Sequence, residues 1–438
     1  MEAVAAPLWS LRRVREPVAL AALAGMVALS GLIVAGAESR LGVLVPSAKL
    51  RYPGWLQGPL SGASIGIDSH GLAWLLVAMS ACYLLVLALA DAVPARIAIA
   101  AVVALHAIFV IAPPLISSDV FGYIDAARLG TLHGINPYSP ALTHLPHDPV
   151  RLYRRWATDL PSPYGPLFVV ASYAVVPLGV AGALWTLKVV TAAASLAIVW
   201  LVWKCAERLD RDPLRAALFV GLNPIVLLFG VGGAHNDFLA IALVMAGVYL
   251  AIAGRERLTG AAMIAAAAIK LPTGLPLLLA FSGLRRRRRE VLIGAAVALS
   301  GFAALALAFF GHRAAGFLDT IRSQENQVAV YSVPNQIGKA IGLGGATNGV
   351  RLVADVGFLA ALGLLIRSVW RGADWITAAG WAVFALLLAT AWLLPWYAVW
   401  ILPLAAVSAD RRLRLAALAL AGYLIVTRVT LWLSIPIP

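Results

Sequence analysis

The residues of this chain best suited to catalysis open a polar stretch, 119–164, that separates two apolar runs. Asp119 begins this stretch and Tyr123 follows one helical turn later, so a helix here would present both side chains on one face. Asp125 would lie on another face of the same helix. A carboxylate at the boundary between membrane and water, facing a cavity, can act as a general base on a hydroxyl group.

A structural role for the same aspartate competes with catalysis. Ser117, Ser118 and Asp119 are all good N-cap residues for a helix that begins here. The two roles are compatible, because a capping carboxylate can still accept a proton. If Asp119 is not the base, Asp159 and Asp237 are the next candidates.

Two proline-containing turns fall within the same polar stretch. Asn136 and Tyr138 flank a proline, and Tyr164 follows Pro163 in the sequence SPYGP. Asn-Pro and Ser-Pro pairs favour turns, and the tyrosine rings would anchor at a membrane interface. By themselves these turns indicate no chemistry.

Three consecutive polar residues, His235, Asn236 and Asp237, follow two glycines between two apolar runs. One interpretation is a tight turn whose Asn or Asp caps the next helix. The other is that these side chains line the cavity into which Asp119 faces. A zinc site is not indicated, because the chain has no HExxH spacing and no Cys/His cluster.

A lysine and an aromatic cluster complete the candidate residues. Lys270 interrupts the apolar sequence AAAAIKLPTGLP, where a cation is expensive unless it reaches the surface or finds an anion such as a lipid phosphate. Trp396 and Tyr397 lie with other aromatic residues near a predicted helix end. They would anchor at the interface, or stack on the face of a sugar.

The composition requires a lipid environment for these residues. The chain has 438 residues, of which 62% are hydrophobic and 12% charged, whereas soluble domains are near 45–50% apolar and about 25% charged. We therefore predict an all-α polytopic membrane protein, with residues 1–438 in a single membrane-embedded domain. About eleven runs are long enough to cross a bilayer: 17–37, 71–90, 96–114, 182–203, 216–232, 237–253, 290–311, 352–370, 375–392, 396–409 and 413–433. Two interrupted stretches, 166–180 and 259–283, are expected to form broken or re-entrant hairpins.

The distribution of basic residues predicts the orientation. With a cytoplasmic N-terminus and both hairpins returning to their own side, 20 of the 34 basic residues fall in short cytoplasmic segments, as the positive-inside rule requires. The five arginines 285–289 then fix the topology, which excludes a nucleic-acid partner as the reason for the net charge of +14. The extracytoplasmic segments are 38–70, 115–165 and 312–351.

Taken in order, five motifs make the chain resemble the C-type (GT-C) glycosyltransferases. They are SSDVFGYIDAARLGTLHGINPYSP, SPYGPLF, LNPIVLLFGVGGAHNDFLAI, AIKLP and LPWYAVWILPL. The pattern is most similar to the bacterial polyprenol-phosphomannose-dependent α-1,6-mannosyltransferases of the MptB type. These motifs are specific for the superfamily and not for the sugar.

The resemblance implies roles for the residues that match its motifs. Asp119 would be the base, and Lys270 would lie near the phosphate of the donor, with Arg322 as a weaker candidate. The residues expected to contact substrate are Tyr123, Asn136, Tyr138, Tyr164, His235, Asn236, Asp237, Trp396 and Tyr397. Some relatives carry paired acidic residues where this chain has Ser117 two positions before Asp119, so no metal and no other cofactor is expected.

The function predicted from the resemblance is inverting transfer of a mannosyl residue on the extracytoplasmic side of the cell membrane. The donor would be polyprenyl-phosphate-mannose, and the acceptor a glycan or glycolipid. A transferase for another lipid-linked sugar, such as arabinose, glucose or an amino sugar, is the main alternative. A transporter or flippase would also have broken helices and a buried lysine, but the chain shows no repeated halves.

Overall fold

The computed structural model describes residues 8–38, 53–63, 65–139, 147–154, 161–325 and 327–432. In these ranges the chain forms seventeen α-helices and no β-strand, which confirms the prediction of an all-α fold. The helices are α1 Leu8–Glu38, α2 Ser69–Ala88, α3 Ala95–Ile111, α4 Asp119–Leu132, α5 Pro166–Ser172, α6 Gly179–Arg208, α7 Pro213–Gly221, α8 Asp237–Ile252, α9 Glu256–Ile269, α10 Leu275–Gly283, α11 Arg288–Phe310, α12 Gly316–Glu325, α13 Val333–Ala340, α14 Asn348–Trp370, α15 Trp375–Ala389, α16 Leu402–Val407 and α17 Arg411–Trp432.

Five helical stretches of the described chain are long and apolar enough to cross a membrane: Val14–Ala37, Ser69–Ala88, Pro166–Arg208, Arg285–Arg313 and Asn348–Trp370. A sixth forms if α7 and the π-helical segment Ile225–Val231, which meet at 48°, count as one bent span. Such helices are typical of a membrane protein. The expected number of about eleven crossings stays a prediction, because several apolar helices are shorter than a full span.

The bend between α7 and the π-helical segment has a local cause. Pro224 cannot donate a backbone hydrogen bond, so the α-helical ladder stops there. The Asn223 side chain accepts from the backbone N–H of Ile225 at 3.0 Å and satisfies a group that the break leaves open. Residues 225–231 are all buried in the centre of the fold, and they lead directly to the glycines before His235.

The hairpin expected over 259–283 is present. Helix α9 ends at Ile269, the 3-10 turn Leu271–Gly274 follows Lys270, and α10 returns the chain to the side where α9 began. The two ends meet where Arg287 forms an ion pair with Glu256 at 3.2 Å. Lys270 therefore lies at the turn of the hairpin, where its backbone is extended between two helical segments.

The other interrupted stretch, 166–180, consists of α5 and the 3-10 turn Tyr173–Leu178. It packs against α4 and α11: the Tyr173 ring lies against Gly130 of α4 and stacks edge-on with Phe309 near the end of α11. Gly130 has to lack a side chain because a Cβ would collide with this ring.

One predicted span is wrong as a continuous helix. Over 396–409 the chain forms a 3-10 turn, Pro395–Trp400, followed by the six-residue helix α16. Together they are shorter than the roughly 20 residues that a bilayer crossing needs. Nearly all of their residues are buried against other helices, so this segment is an internal element that carries the aromatic cluster.

The described parts of the predicted outer loops pack onto the helices. In the first loop, the carbonyl of Trp55 accepts from the Trp185 indole at 2.9 Å, and the Trp55 ring contacts Tyr153 edge-on. In the third loop, the backbone N–H of Ala329 donates to the carbonyl of Ala391 at 2.8 Å. The third loop thus brings residues 327–331 beside the aromatic cluster.

Candidate functional site

A cavity of about 1380 Å³ brings most of the chemically interesting residues together. We call it the central cavity. Its walls come from the start of α4, the turn 161–164, the hairpin turn at Lys270, residues 327–331, the segment 389–400 and the adjoining faces of α14 and α17. Asp119, Tyr164, Lys270, Trp396 and Tyr397 all line it.

Asp119 occupies the first position of α4 and projects into this cavity. The preceding turn is tight, because Ile116 has a φ of 64° and the N–H of Ser117 donates to the carbonyl of Leu115 at 2.7 Å. The Ser117 hydroxyl accepts from the backbone N–H of Asp119 at 3.2 Å. The N-cap residue is Ser118, whose side chain makes no capping hydrogen bond. The Asp119 side chain keeps 24% of its surface exposed, so it is available to a ligand.

His235 is the partner of this carboxylate. Its Nδ1 lies 3.4 Å from Oδ2 of Asp119, and its ring is fully buried. The Trp396 ring stacks on the imidazole with centroids 3.7 Å apart, which fixes the plane of the ring. The Asp119 carboxylate thus faces an imidazole ring whose orientation is fixed by its packing.

The backbone before His235 is shaped by two glycines. A Cβ on Gly232 would collide with the carbonyl of Leu228, and one on Gly233 would lie 2.8 Å from the His235 ring. Ala234 adopts a φ of 57°, a left-handed conformation that is uncommon for residues other than glycine. Like the turn at Ile116, this turn is strained, which is common at functional sites.

The electrostatics of the site keep Asp119 ionised. Burial raises the pKa of its carboxyl group, but the contact with His235 and the nearby positive charge of Lys270 outweigh burial and hold the pKa below its ordinary value. At neutral pH the carboxylate can therefore accept a proton, and its negative charge is present to stabilise a developing cation.

Lys270 is bound to a buried carboxylate. Its Nζ lies 2.8 Å from both Oδ1 and Oδ2 of Asp237. The Trp400 indole donates to Oδ1 of Asp237 at 2.6 Å, and the Tyr397 ring lies 4.8 Å from the ammonium group. Lys270 keeps 17% of its side chain exposed and lines the central cavity, whereas Asp237 is fully buried. Lys270 therefore does not extend to the membrane surface.

The close approach of Gly165 to α9 explains why Tyr164 and Lys270 share one wall. The backbone N–H of Gly165 donates to the carbonyl of Ile269 at 3.0 Å, and a Cβ at Gly165 would collide with the carbonyl of Ala268. The turn SPYGP is thus fixed against the end of α9, next to the hairpin turn.

Two predicted residues form a second layer. Tyr123 is buried, and its hydroxyl contacts Asn236 twice: it accepts from the backbone N–H at 3.2 Å and donates to Oδ1 at 3.4 Å. The Tyr164 ring meets Tyr123 edge-on with centroids 4.7 Å apart. Tyr123 and Asn236 therefore connect α4 to the turn that carries His235, and they stand behind the cavity surface.

The expectation that His235, Asn236 and Asp237 line the central cavity is wrong, because all three are buried behind its surface. Three further predicted residues also lie outside the cavity. Asn136 donates to the carbonyl of Phe310 at 2.9 Å, and the buried Tyr138 hydroxyl donates to the carbonyl of Tyr164 at 2.8 Å, so both hold the loop in place. Arg322 is 74% exposed and pairs with Asp319 at 3.4 Å, and it does not line the cavity.

The spacing along α4 puts Asp125 on another helical face from Asp119, which by itself predicts a mild effect of substituting Asp125. It is buried, lines the central cavity, and forms ion pairs with Arg151 and Arg154. A mild effect of its substitution is therefore no longer expected. Asp159, an alternative base, lies outside the described residues.

A buried cation near the site that the sequence analysis missed is Lys188. Its side chain is fully buried in α6, and its Nζ donates to the carbonyl of Gly232 at 3.0 Å. The same carbonyl accepts from the backbone N–H of Leu115 at 3.0 Å. No carboxylate among the described residues pairs with Lys188. A charged residue in the middle of a predicted span was the signal available for it.

Lys188 therefore joins the two strained turns of the site. Leu115 precedes the turn that carries Asp119, and Gly232 opens the turn that carries His235. Within the described ranges, no group of three or more His, Cys, Asp or Glu side chains is placed to hold a metal ion.

The fold and the cavity define an all-helical membrane protein in which one cavity is lined by aromatic rings and by a carboxylate that contacts a buried imidazole. The chain belongs to the family of alpha-(1→6)-mannopyranosyltransferases, since the N-terminal domain of that family matches residues 21–288. The MptB C-terminal domain matches residues 327–430, which include α13, α14 and the aromatic cluster.

Individual relatives agree with this family. Alpha-(1→6)-mannopyranosyltransferase A of Mycobacterium tuberculosis is 27% identical over 333 residues, which cover 70% of this chain and 64% of the relative. Alpha-(1→6)-mannopyranosyltransferase B of Corynebacterium glutamicum is 26% identical over 340 residues, covering 67% and 56%. The chain thus matches less than two thirds of the length of these relatives. No solved structure matches the chain.

Proposed function

We propose that this protein transfers a mannosyl residue from polyprenyl-phosphate-mannose to a glycan or glycolipid acceptor. The observation that carries the proposal is the ionised Asp119 at His235, on the wall of a cavity that also holds Trp396 and Tyr397. Membership of the alpha-(1→6)-mannopyranosyltransferase family supports mannose as the sugar and α-1,6 as the linkage. The positive-inside pattern supports an extracytoplasmic site.

In the proposed reaction, Asp119 accepts the proton of the acceptor hydroxyl as that oxygen attacks the anomeric carbon of mannose. The bond between the anomeric carbon and the phosphate oxygen breaks, and the lipid phosphate leaves with the bonding electrons. A single displacement inverts the configuration, so a β-linked donor gives an α-linked product. The buried His235 restricts the orientation of the carboxylate, which favours one direction of attack.

Lys270 is the proposed cation near the leaving phosphate. Its ammonium group already neutralises Asp237, so a phosphate would share this lysine with the aspartate. The shared arrangement still stabilises charge that develops on the leaving oxygen, since the ammonium is fixed in place before the reaction. Arg322 is not part of this proposal, because it lies outside the cavity.

Trp396 and Tyr397 are proposed to contact the sugars. Their rings line the central cavity and meet edge-on with centroids 6.2 Å apart. Aromatic rings at such a position offer apolar surface to the face of a pyranose. The Trp396 ring also covers His235, so a bound sugar would lie close to the catalytic carboxylate.

The test is a transfer assay with purified protein in nanodiscs. Polyprenyl-phosphate-[¹⁴C]mannose is supplied with an α-mannoside acceptor, and the product is analysed for linkage and anomeric configuration. We expect an α-1,6-linked product that depends on Asp119. Transfer from polyprenyl-phosphate-arabinose or polyprenyl-phosphate-glucose, with none from the mannose donor, would refute the assignment of the sugar.

A further inference from the structure

A second depression lies beside the central cavity, and we call it the side groove. It has a volume of about 450 Å³ and lies between α13, α14 and α15. Its lining is apolar along nearly its whole length and includes Val333, Ile337, Val353 and Leu388. Phe358 and Ala389 line both the side groove and the central cavity, so the two spaces meet at these residues.

The pattern along α14 shows how the two spaces are separated. Residues 350, 353, 354 and 357 face the side groove, whereas Arg351, Asp355 and Phe358 face the central cavity. Each set recurs at three- to four-residue spacing, which places it on one side of a helix. The helix therefore presents an apolar face to the groove and a charged face to the cavity, with Phe358 at the border.

The side groove is open to the surroundings of the protein. Ile337, Ile341 and Val353 are 51%, 62% and 73% exposed, values that are high for large apolar side chains. Apolar side chains exposed in this way on a membrane protein face lipid. In a bilayer, the molecules that reach this surface are lipid chains.

The wall of the central cavity nearest to α14 and α17 carries arginines. Arg428 is partly buried in α17, a helix that is otherwise mostly apolar near this point, and it lines the cavity with Arg351. Within the described residues, Arg428 has no ion pair and no hydrogen bond from its side chain. A guanidinium group at membrane depth is costly unless it meets an anion.

The other basic residues on the cavity wall are differently placed. Lys270 faces Asp237 at 2.8 Å, and Arg154 is paired with Asp125. These two cations are largely neutralised by the protein itself. Arg428 thus offers its charge to a bound anion with less competition from carboxylates.

We propose that the lipid phosphate of the donor first binds at Arg428, in the cavity that Arg351 also lines, while its prenyl chain leaves the cavity through the side groove. This inference rests on the proposed function. One amphiphile accounts for both features: its anionic group fits the guanidinium, and its chain fits an apolar groove that joins the cavity at Phe358 and Ala389. The α13–α14–α15 side is then the entrance for the donor.

The test that needs no variant is photocrosslinking of the wild-type protein in nanodiscs. A polyprenyl phosphate with a diazirine in the isoprene units next to the phosphate is activated, and labelled peptides are mapped by mass spectrometry. We expect label on α13, α14 and α15. Label confined to other helices overturns the proposal.

Two pairs of variants test the two halves of the site. Gly357 lines the side groove, and a side chain there would enter open space; Gly357→Trp should therefore block the groove and weaken binding of the long-chain probe on the order of 10-fold. Gly363→Trp is the matched control, because Gly363 also lies on α14 with open space around it but outside the groove. A water-soluble analogue with a single isoprene unit should bind equally to both variants and the wild type.

Arg428→Gln should weaken binding of long and short probes alike by ~10-fold or more, since a charge-assisted contact is lost. Arg428→Lys should keep part of the affinity. Binding of the Arg428→Gln protein at the wild-type level overturns the proposal. Equal competition by inorganic phosphate or by phosphatidylglycerol would also overturn it, because the site would then recognise no specific lipid carrier.

The outcomes separate this inference from the proposed function. If polyprenyl phosphate labels the side groove but the transferred sugar is not mannose, the entrance stands and the proposed function falls. If mannose is transferred while the label and both variants show no role for the side groove or Arg428, the proposed function is supported and the proposed donor entrance is rejected.

Discussion

Replacing Lys270 by methionine tests whether the lysine serves the fold, the donor or both. The substitution removes the ammonium group that lies 2.8 Å from both oxygens of Asp237. Asp237 would keep the hydrogen bond from the Trp400 indole, but its charge would remain buried. Breaking a buried ion pair from one side costs about 3–5 kcal/mol. Because Lys270 is 17% exposed, we expect a loss near the lower end, about 3 kcal/mol.

The assay is unfolding of the purified variants in one detergent, followed by donor kinetics on the folded fraction. Lys270→Met/Asp237→Asn removes both charges and leaves an acceptor for Trp400, so it should recover stability to within about 1 kcal/mol of the wild type. If Lys270 also contacts the donor phosphate, this double variant should fold well and still show a raised KM for the donor. Lys270→Arg should retain part of the activity, because the charge is kept.

Two results would refute the reasoning. A Lys270→Met protein as stable as the wild type would mean that the pair with Asp237 does not hold the hairpin turn. A double variant with wild-type donor kinetics would mean that Lys270 acts only through Asp237 and does not bind phosphate.

Four further predictions follow from the site and its surroundings. Asp119→Asn should lower transfer by at least about 10²-fold with little change in donor binding; near wild-type turnover would exclude it as the base. Lys188→Met should leave the free energy of unfolding unchanged or higher, because a buried cation is lost. Transfer should nevertheless fall about 10-fold, because the turns that carry Asp119 and His235 would be displaced; unchanged transfer would refute the positioning role of Lys188. Burial raises the pKa of Asp148, but its histidine, backbone and arginine partners hold that pKa below its ordinary value. Its stabilising effect is therefore present at neutral pH and is lost as the pH falls through the lowered pKa, so acid should destabilise the wild type more than Asp148→Asn; equal acid sensitivity would contradict this. In a cysteine-free background, an impermeant maleimide added to whole cells should label Leu152→Cys and spare Arg286→Cys; the reverse would invert the topology.

The sequence determined the class of fold and the location of one break, the hairpin turn at Lys270. The composition alone required a membrane environment, and apolar runs long enough to cross a bilayer indicated helices as the spanning element. Lys270 with Pro272 and Pro276 predicted the turn of the hairpin, because these residues cannot continue an apolar helix. Local chemistry was sufficient for these features, since each depends on neighbouring residues.

The sequence also indicated that Asp119 and the turn at His235 share a cavity; the structure places His235 in contact with Asp119 but buries it behind the cavity surface. The sequence did not show how deeply a residue is buried or in which direction its side chain points. Asn136, Tyr138 and Arg322 carry suitable groups, yet the first two hold a loop and the third lies outside the cavity. Polar type and order along the chain do not report which way a side chain points.

Tertiary structure decided which charges are paired. Lys270 meets Asp237, Asp125 meets two arginines, and Lys188 meets the carbonyl of Gly232, all through contacts between different elements. The cost of a charge in the membrane is known from the sequence, but the partner that offsets it comes from distant parts of the chain. The sequence therefore showed where charges had to be compensated, and only the packing of the helices determined which group compensates each charge.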